Sequence, residues 1–108
     1  MLVGDVVGRP GRKAVCHWLP RLIDEHSIDF VVVNAENAAA GFGITLGLAH
    51  DLLDAGADCL TMGNHVWSQK GTDQLLEIEP RVLRPANYPP QCAGVGARLY
   101  SARCGNNV

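Results

Sequence analysis

Five residues of this 108-residue chain carry donor atoms suited to a hard metal ion, and each falls just after a short apolar run. Asp5 follows "MLVG", Glu36 and Asn37 close "VVVNAEN", and Asn64 and His65 close "LTMGNH". Asp5 and Glu36 offer carboxylates, Asn37 and Asn64 neutral amide oxygens, and His65 an imidazole. Such a mixed oxygen and nitrogen set suits Mn, Fe, Zn or Mg, and the lack of a nearby thiol argues against a soft-metal site. A glutamate can bridge two cations and hold them about 3.5–4 Å apart, the spacing of two-metal phosphoesterases. Each residue alone has an ordinary reading. Asp5 can be a turn former, Glu36 and Asn37 a solvated loop, and Asn64-His65 an Asx turn with a partly buried histidine. Their common placement is what points to a site.

That placement follows from the elements. Met1–Val3, Phe30–Val33 and Cys59–Met62 are continuous apolar runs bounded by turn residues, as expected of buried parallel strands. Between them lie helical patterns. Val15, Leu19, Leu22 and Ile23 recur after Pro10 and predict a helix ending near His26. Leu46, Ala49, Leu52 and Leu53 predict a second, capped by Thr45 and closed by Gly56. A weaker pattern runs from about Gln69 to Ile78, interrupted by Gly71 and stopped by Pro80. Strand and helix in alternation imply right-handed βαβ units and a parallel sheet, hence an α/β fold. Ligands bind such sheets outside the carboxyl ends of the strands, which is where all five donors fall. Gly4 and Gly63 beside them permit tight turns and close backbone approach.

The remaining polar and aromatic residues read more plainly. Asn34 shapes its loop, His17, His26 and His50 lie on the surface, and Trp18 and Trp67 pack in the interior. "RVLRPANYPP" is proline-rich, so it is expected to be extended rather than a central strand; Arg84–Pro90 reads first as a rigid connector, with a loop bordering the substrate as the alternative. "ARLYSAR" alternates weakly and suggests one more strand.

Composition excludes several classes. With 47% apolar and 19% charged residues the chain is neither disordered nor a membrane protein, and no run approaches the roughly 20 apolar residues of a bilayer span. A net charge of −2 gives no electrostatic case for stable nucleic-acid binding; Arg9, Arg12, Lys13 and Arg21 form at most a local patch. Cys16, Cys59, Cys92 and Cys104 contain no C-x-x-C pair, so no zinc ribbon is expected. Reduced, mostly packed thiols in a cytoplasmic protein are the expectation. No G-x-G-x-x-G or G-x-x-x-x-G-K-[ST] opens a helix, which disfavours a nucleotide-binding α/β domain of another kind. Both ends read as cuts through strands.

"GDVVGRPGRK", "VVVNAENAAAGFGIT", "AGADCLTMGNHVW" and "RVLRPANYPP" together resemble, in order and spacing, the bacterial YmdB-like proteins. These are a subfamily of calcineurin-like metallophosphoesterases described as 2′,3′-cyclic-nucleotide 2′-phosphodiesterases. The resemblance implies the N-terminal βαβαβ part of a two-sheet α/β sandwich with a mostly parallel sheet. It implies two divalent or mixed-valence metal ions, Fe or Mn before Zn or Mg. Asp5 and Asn37 correspond to ligands of the first metal, Glu36 to the bridging ligand, Asn64 to a ligand of the second, and His65 to the general acid. The implied reaction is dinuclear-metal hydroxide attack on a small cyclic nucleotide, in a protein expected to be a homo-oligomer. The family pattern continues into a part carrying three further histidine ligands, so residues 1–108 are expected to be an incomplete domain, inactive alone. The alternative is a non-catalytic module that associates with a complementary chain.

Overall fold

Each of the three apolar runs becomes a short strand, and each helical pattern a helix on the crossover between strands. The computed structural model describes residues 1–108. In chain order the elements are β1 (Leu2–Val3), α1 (Gly8–His26), β2 (Val32–Asn34), α2 (Leu46–Asp54), β3 (Cys59–Thr61), α3 (Thr72–Ile78) and β4 (Val82–Leu83). The four strands form one all-parallel sheet in the order β1-β2-β3-β4. The fourth strand is the opening of the proline-rich segment, and it sits at a sheet edge, where proline beyond Leu83 breaks no ladder. No helix is long and apolar enough to cross a membrane.

Parallel strands taken in sequence order, joined by right-handed crossovers, put all three helices on one face. Burial follows this. Val3, Val33, Leu60 and Val82 share a register row, and the last three are almost wholly buried. They join Leu19, Ala49, Leu52, Leu75 and Leu76 of the helices in one core of 17 buried residues. The alternate rows face the other way: Leu2 is 77% exposed, and Val32, Asn34, Thr61 and Leu83 are half-buried. The segment after Arg98 reaches the residues that precede β2, β3 and β4. Tyr100 lies on Phe30 with centroids 5.7 Å apart and donates to the Pro80 carbonyl at 2.8 Å. The Arg103 guanidinium reaches Asp58 at 2.7 Å.

Local chemistry sets the element ends. The Thr45 hydroxyl accepts from the Leu48 N–H, capping α2, and Gly56, at φ +116°, turns the chain just past its end. Gly71 starts α3 from a left-handed conformation instead of interrupting it. Helix α1 runs through Pro20, which lies on its exposed side, where the Cys16 carbonyl left without an N–H partner can be hydrated.

Four expectations need correction. "ARLYSAR" forms no strand; its one ladder contact is an isolated antiparallel bridge between Ser101 and Asn107. Trp18 is 53% exposed, its ring under the Arg21 guanidinium, because its position on α1 lies at the open rim beside edge strand β1. Trp67, by contrast, does pack against the core and against Tyr88. The thiols are not mostly packed: all four are free, Cys59 is buried, Cys92 half-buried, and Cys16 and Cys104 exposed. Leu46, placed on the apolar face of α2, is 38% exposed, and Leu48 packs against the core instead.

Candidate metal centre

The five donors reach one sheet edge because three loops, each following a strand, are hydrogen-bonded to one another. The Val6 N–H donates to the Asn34 carbonyl at 3.1 Å and the Gly8 N–H to the Asn37 carbonyl at 3.0 Å, which docks the β1–α1 loop on the β2–α2 loop. The Ala35 N–H donates to the Thr61 carbonyl at 2.9 Å, extending the β2–β3 pairing to the mouth of the site. Asp5 turns the chain at φ +48°, a left-handed conformation that aspartate, like asparagine, tolerates better than most non-glycine residues. Backbone held in this region clusters at functional sites.

Asn37 donates from Nδ2 to Asp5 Oδ1 at 2.7 Å. The bond joins two of the expected ligands across two loops and leaves the Asn37 amide oxygen free to accept or to ligate. Glu36 projects toward the third loop. Its carboxylate lies directly on the Cα of Gly63, filling the volume that any side chain at position 63 would need. Its Oε2 is buried and has no hydrogen-bond partner. A carboxylate oxygen removed from water without a donor is costly, and a cation in contact with it removes that cost. The residues present therefore fit a metal ion. Asp5 and Glu36 are not joined by a third His, Cys, Asp or Glu close enough to complete a cluster. The other donors at this edge are the amides of Asn37 and of Asn64, which follows Gly63.

The turn holding Asn64 and His65 is fixed by the Val66 N–H on the Gly63 carbonyl at 3.1 Å and the Ser68 N–H on the His65 carbonyl at 3.0 Å. Val66, fully buried, anchors it to the core. Asn64 is exposed and His65 half-exposed. His65 Nδ1 faces Ser68 Oγ at 3.4 Å. Its ring meets Phe42 edge to face, with centroids 5.2 Å apart.

Along all 108 residues the chain matches the family described as YmdB-like protein. The chain belongs to the YmdB-like family. It is 42% identical over 102 residues to the 2′,3′-cyclic-nucleotide 2′-phosphodiesterase of Bacillus subtilis, a match covering 94% of this chain and 39% of that protein. Among solved structures, a hypothetical protein from Thermus thermophilus superposes with a TM-score of 0.85 at 41% identity, over 92% of this chain and 38% of the other. A crystal structure named as a novel phosphatase, from Mycoplasma pneumoniae, gives 0.84 at 33% identity, over 92% and 37%. The chain thus spans under two-fifths of the length of each of these relatives. The fold is shared with both solved structures over 92% of this chain.

Sequence reasoning gave no role to Phe42, Ser68 or Gln69. Gln69 Nε2 donates to the Phe42 carbonyl at 2.5 Å, and Gly43 lies against the His65 carbonyl, so Phe42, Gly43 and Gln69 staple the second loop to the third. The available signal was "GFG": an aromatic between two glycines, in a turn rather than on an apolar face.

Proposed function

We propose that this chain is the first part of a metal-dependent phosphodiesterase hydrolysing 2′,3′-cyclic nucleotides. The observation that carries the reading is the buried, unpartnered Glu36 Oε2 seated on Gly63. Asp5, Glu36, Asn37 and Asn64 would hold two divalent or mixed-valence cations, iron or manganese before zinc or magnesium, with Glu36 shared between them. Such cations, when bound, polarise phosphoryl oxygens and make a coordinated water acidic near neutral pH. The protein's own groups position and transfer a proton. Asn37 steadies the Asp5 carboxylate through Nδ2. With Nδ1 turned toward Ser68, His65 has Nε2 available to protonate the departing ribose oxygen. General-acid assistance of this kind contributes about 10² to 10⁴ in rate.

The substrate class comes from the name of the Bacillus subtilis relative. Four donor residues supply few protein ligands to each of two cations, so residues 1–108 are proposed to be one part of a larger catalytic domain and to turn over poorly alone. The decisive experiment is Glu36→Gln in the full-length natural protein, which keeps shape and removes charge. The expected result is joint loss of bound manganese or iron, read by elemental analysis, and of 2′,3′-cyclic AMP hydrolysis. Near-normal metal content and turnover would overturn the bridging role of Glu36.

A further inference from the structure

Phe42 is an apolar ring that the fold holds rigidly by its backbone and leaves in water. Its N–H donates to the Ala39 carbonyl at 3.1 Å, and its carbonyl accepts from Gln69 Nε2. Gly41 and Gly43 on either side adopt φ of +93° and +74°, conformations open to glycine at no steric cost. The loop closes on itself through the Ala39 N–H on the Gly43 carbonyl at 2.8 Å and the Gly41 N–H on the Asn37 carbonyl at 2.9 Å. All this fixes the direction in which the side chain leaves the turn, and Phe42 is 58% exposed and outside the core cluster. Its one aromatic neighbour is His65, met edge to face. An exposed aromatic ring on a hydrogen-bonded turn thus stands beside the proton donor proposed above.

We propose that Phe42 is the stacking platform for the nucleobase of the substrate. The inference rests on the phosphodiesterase reading and adds the residue that makes a nucleoside, rather than a bare cyclic phosphodiester, the preferred substrate. In a nucleoside 2′,3′-cyclic phosphate the base is carried on C1′, next to the C2′ that bears the reacting ester. A ring beside His65 is therefore one ribose away from the phosphate. Stacking on an aromatic face tolerates any base, so Phe42 selects for a base without reading its identity.

Two substrates separate this from a packing role in the full-length natural protein: 2′,3′-cyclic AMP, and ribose 2,3-cyclic phosphate, which has the same ester and no base. Phe42→Ala is expected to raise KM for 2′,3′-cyclic AMP about tenfold, the order that base stacking carries, with kcat within about twofold. Loss of the ring's contact with His65 acts on both substrates alike, so the tenfold rise in KM should be confined to 2′,3′-cyclic AMP, and Phe42→Tyr, which keeps the ring, should restore the wild-type KM. Equal effects on the two substrates, or no effect on either, would overturn the proposal. So would a loss of thermal stability in Phe42→Ala as large as that of a core truncation. Equilibrium binding of 3′-AMP and ribose 3-phosphate gives a readout independent of turnover. A tenfold loss confined to 3′-AMP supports Phe42 even if wild-type protein hydrolyses neither ester, in which case only the phosphodiesterase reading fails. No difference between the two ligands overturns the Phe42 assignment whatever the activity.

Discussion

Gly63 is where the seat of Glu36 can be tested without touching a ligand. Its backbone is not in the left-handed region, so alanine is conformationally allowed there, and the nearest obstacle to its methyl group is the Glu36 carboxylate. Gly63→Ala is expected to displace that carboxylate, weaken manganese binding at least tenfold, and destabilise by about 1–3 kcal/mol, as overpacking does. In a Glu36→Ala background the obstacle is gone, and the same substitution should cost less than about 0.5 kcal/mol. Equal costs in both backgrounds would show that Gly63 is not the seat. At this scale the donors were legible in the sequence because carboxylate, amide and imidazole sit beside glycine straight after apolar runs. Phe42 and Trp18 were not. An aromatic residue carries the same hydrophobicity whether it is packed or held out on a turn, and only the contacts of its neighbours tell which.

Among the elements, the join between α3 and β4 is held by charge. Glu79, 6% exposed, accepts from Arg81 Nε at 2.8 Å and Nη2 at 2.7 Å, and His50 of α2 approaches it at 3.7 Å. The Arg81 hydrogen bonds, against the opposing effect of burial, hold the Glu79 carboxyl below its usual value of 4.5. A carboxyl depressed by folding stabilises fully above its unfolded pKa and loses that contribution as pH falls through the folded value. Glu79→Gln is therefore expected to cost about 2 kcal/mol at pH 7, with the difference from wild type shrinking as pH drops below about 4.5. Urea titrations at pH 7 and pH 3 measure it, and a pH-independent difference would refute the pairing. Beyond β4, the buried Arg84 donates to the carbonyls of Pro85, Tyr88 and Pro89, gathering the proline-rich segment around its guanidinium. The first three strands and both longer helices were readable from periodicity and caps. β4 was hidden because its two ladder residues precede a proline run. "ARLYSAR" misled because alternation without a neighbouring strand to pair with makes no sheet.

The molecule as a whole has an ordinary amount of surface but an unusual kind. Its accessible area of 6086 Å² is close to the roughly 5,800 Å² expected of a compact monomer of 11.6 kDa. Compaction is therefore not what sets this molecule apart. What does is the kind of side chain exposed: Leu2 at 77% on the face away from the helices, and Trp18 at 53% on the rim of α1. Near them Met1, Val3, Val15, Trp18 and Leu22 line an all-apolar hollow of about 310 Å³ beside β1, an edge strand whose outer side pairs with nothing. An unpaired edge bordered by apolar side chains is a template for another strand. The 108-residue chain is accordingly expected to self-associate through β1, with weight-average mass rising with concentration in sedimentation equilibrium. Leu2→Lys places a charge on that face while leaving the row of Val3, Val33, Leu60 and Val82 intact, so the fold should survive, and the mass should return toward the monomer at the same concentration. Self-association unchanged by Leu2→Lys would move the contact elsewhere, and a monomer at all concentrations would show that the exposed face is tolerated in water. The same substitution in the full-length natural protein distinguishes a face covered by that protein's own chain, where lysine would cost several kcal/mol of stability, from one left free.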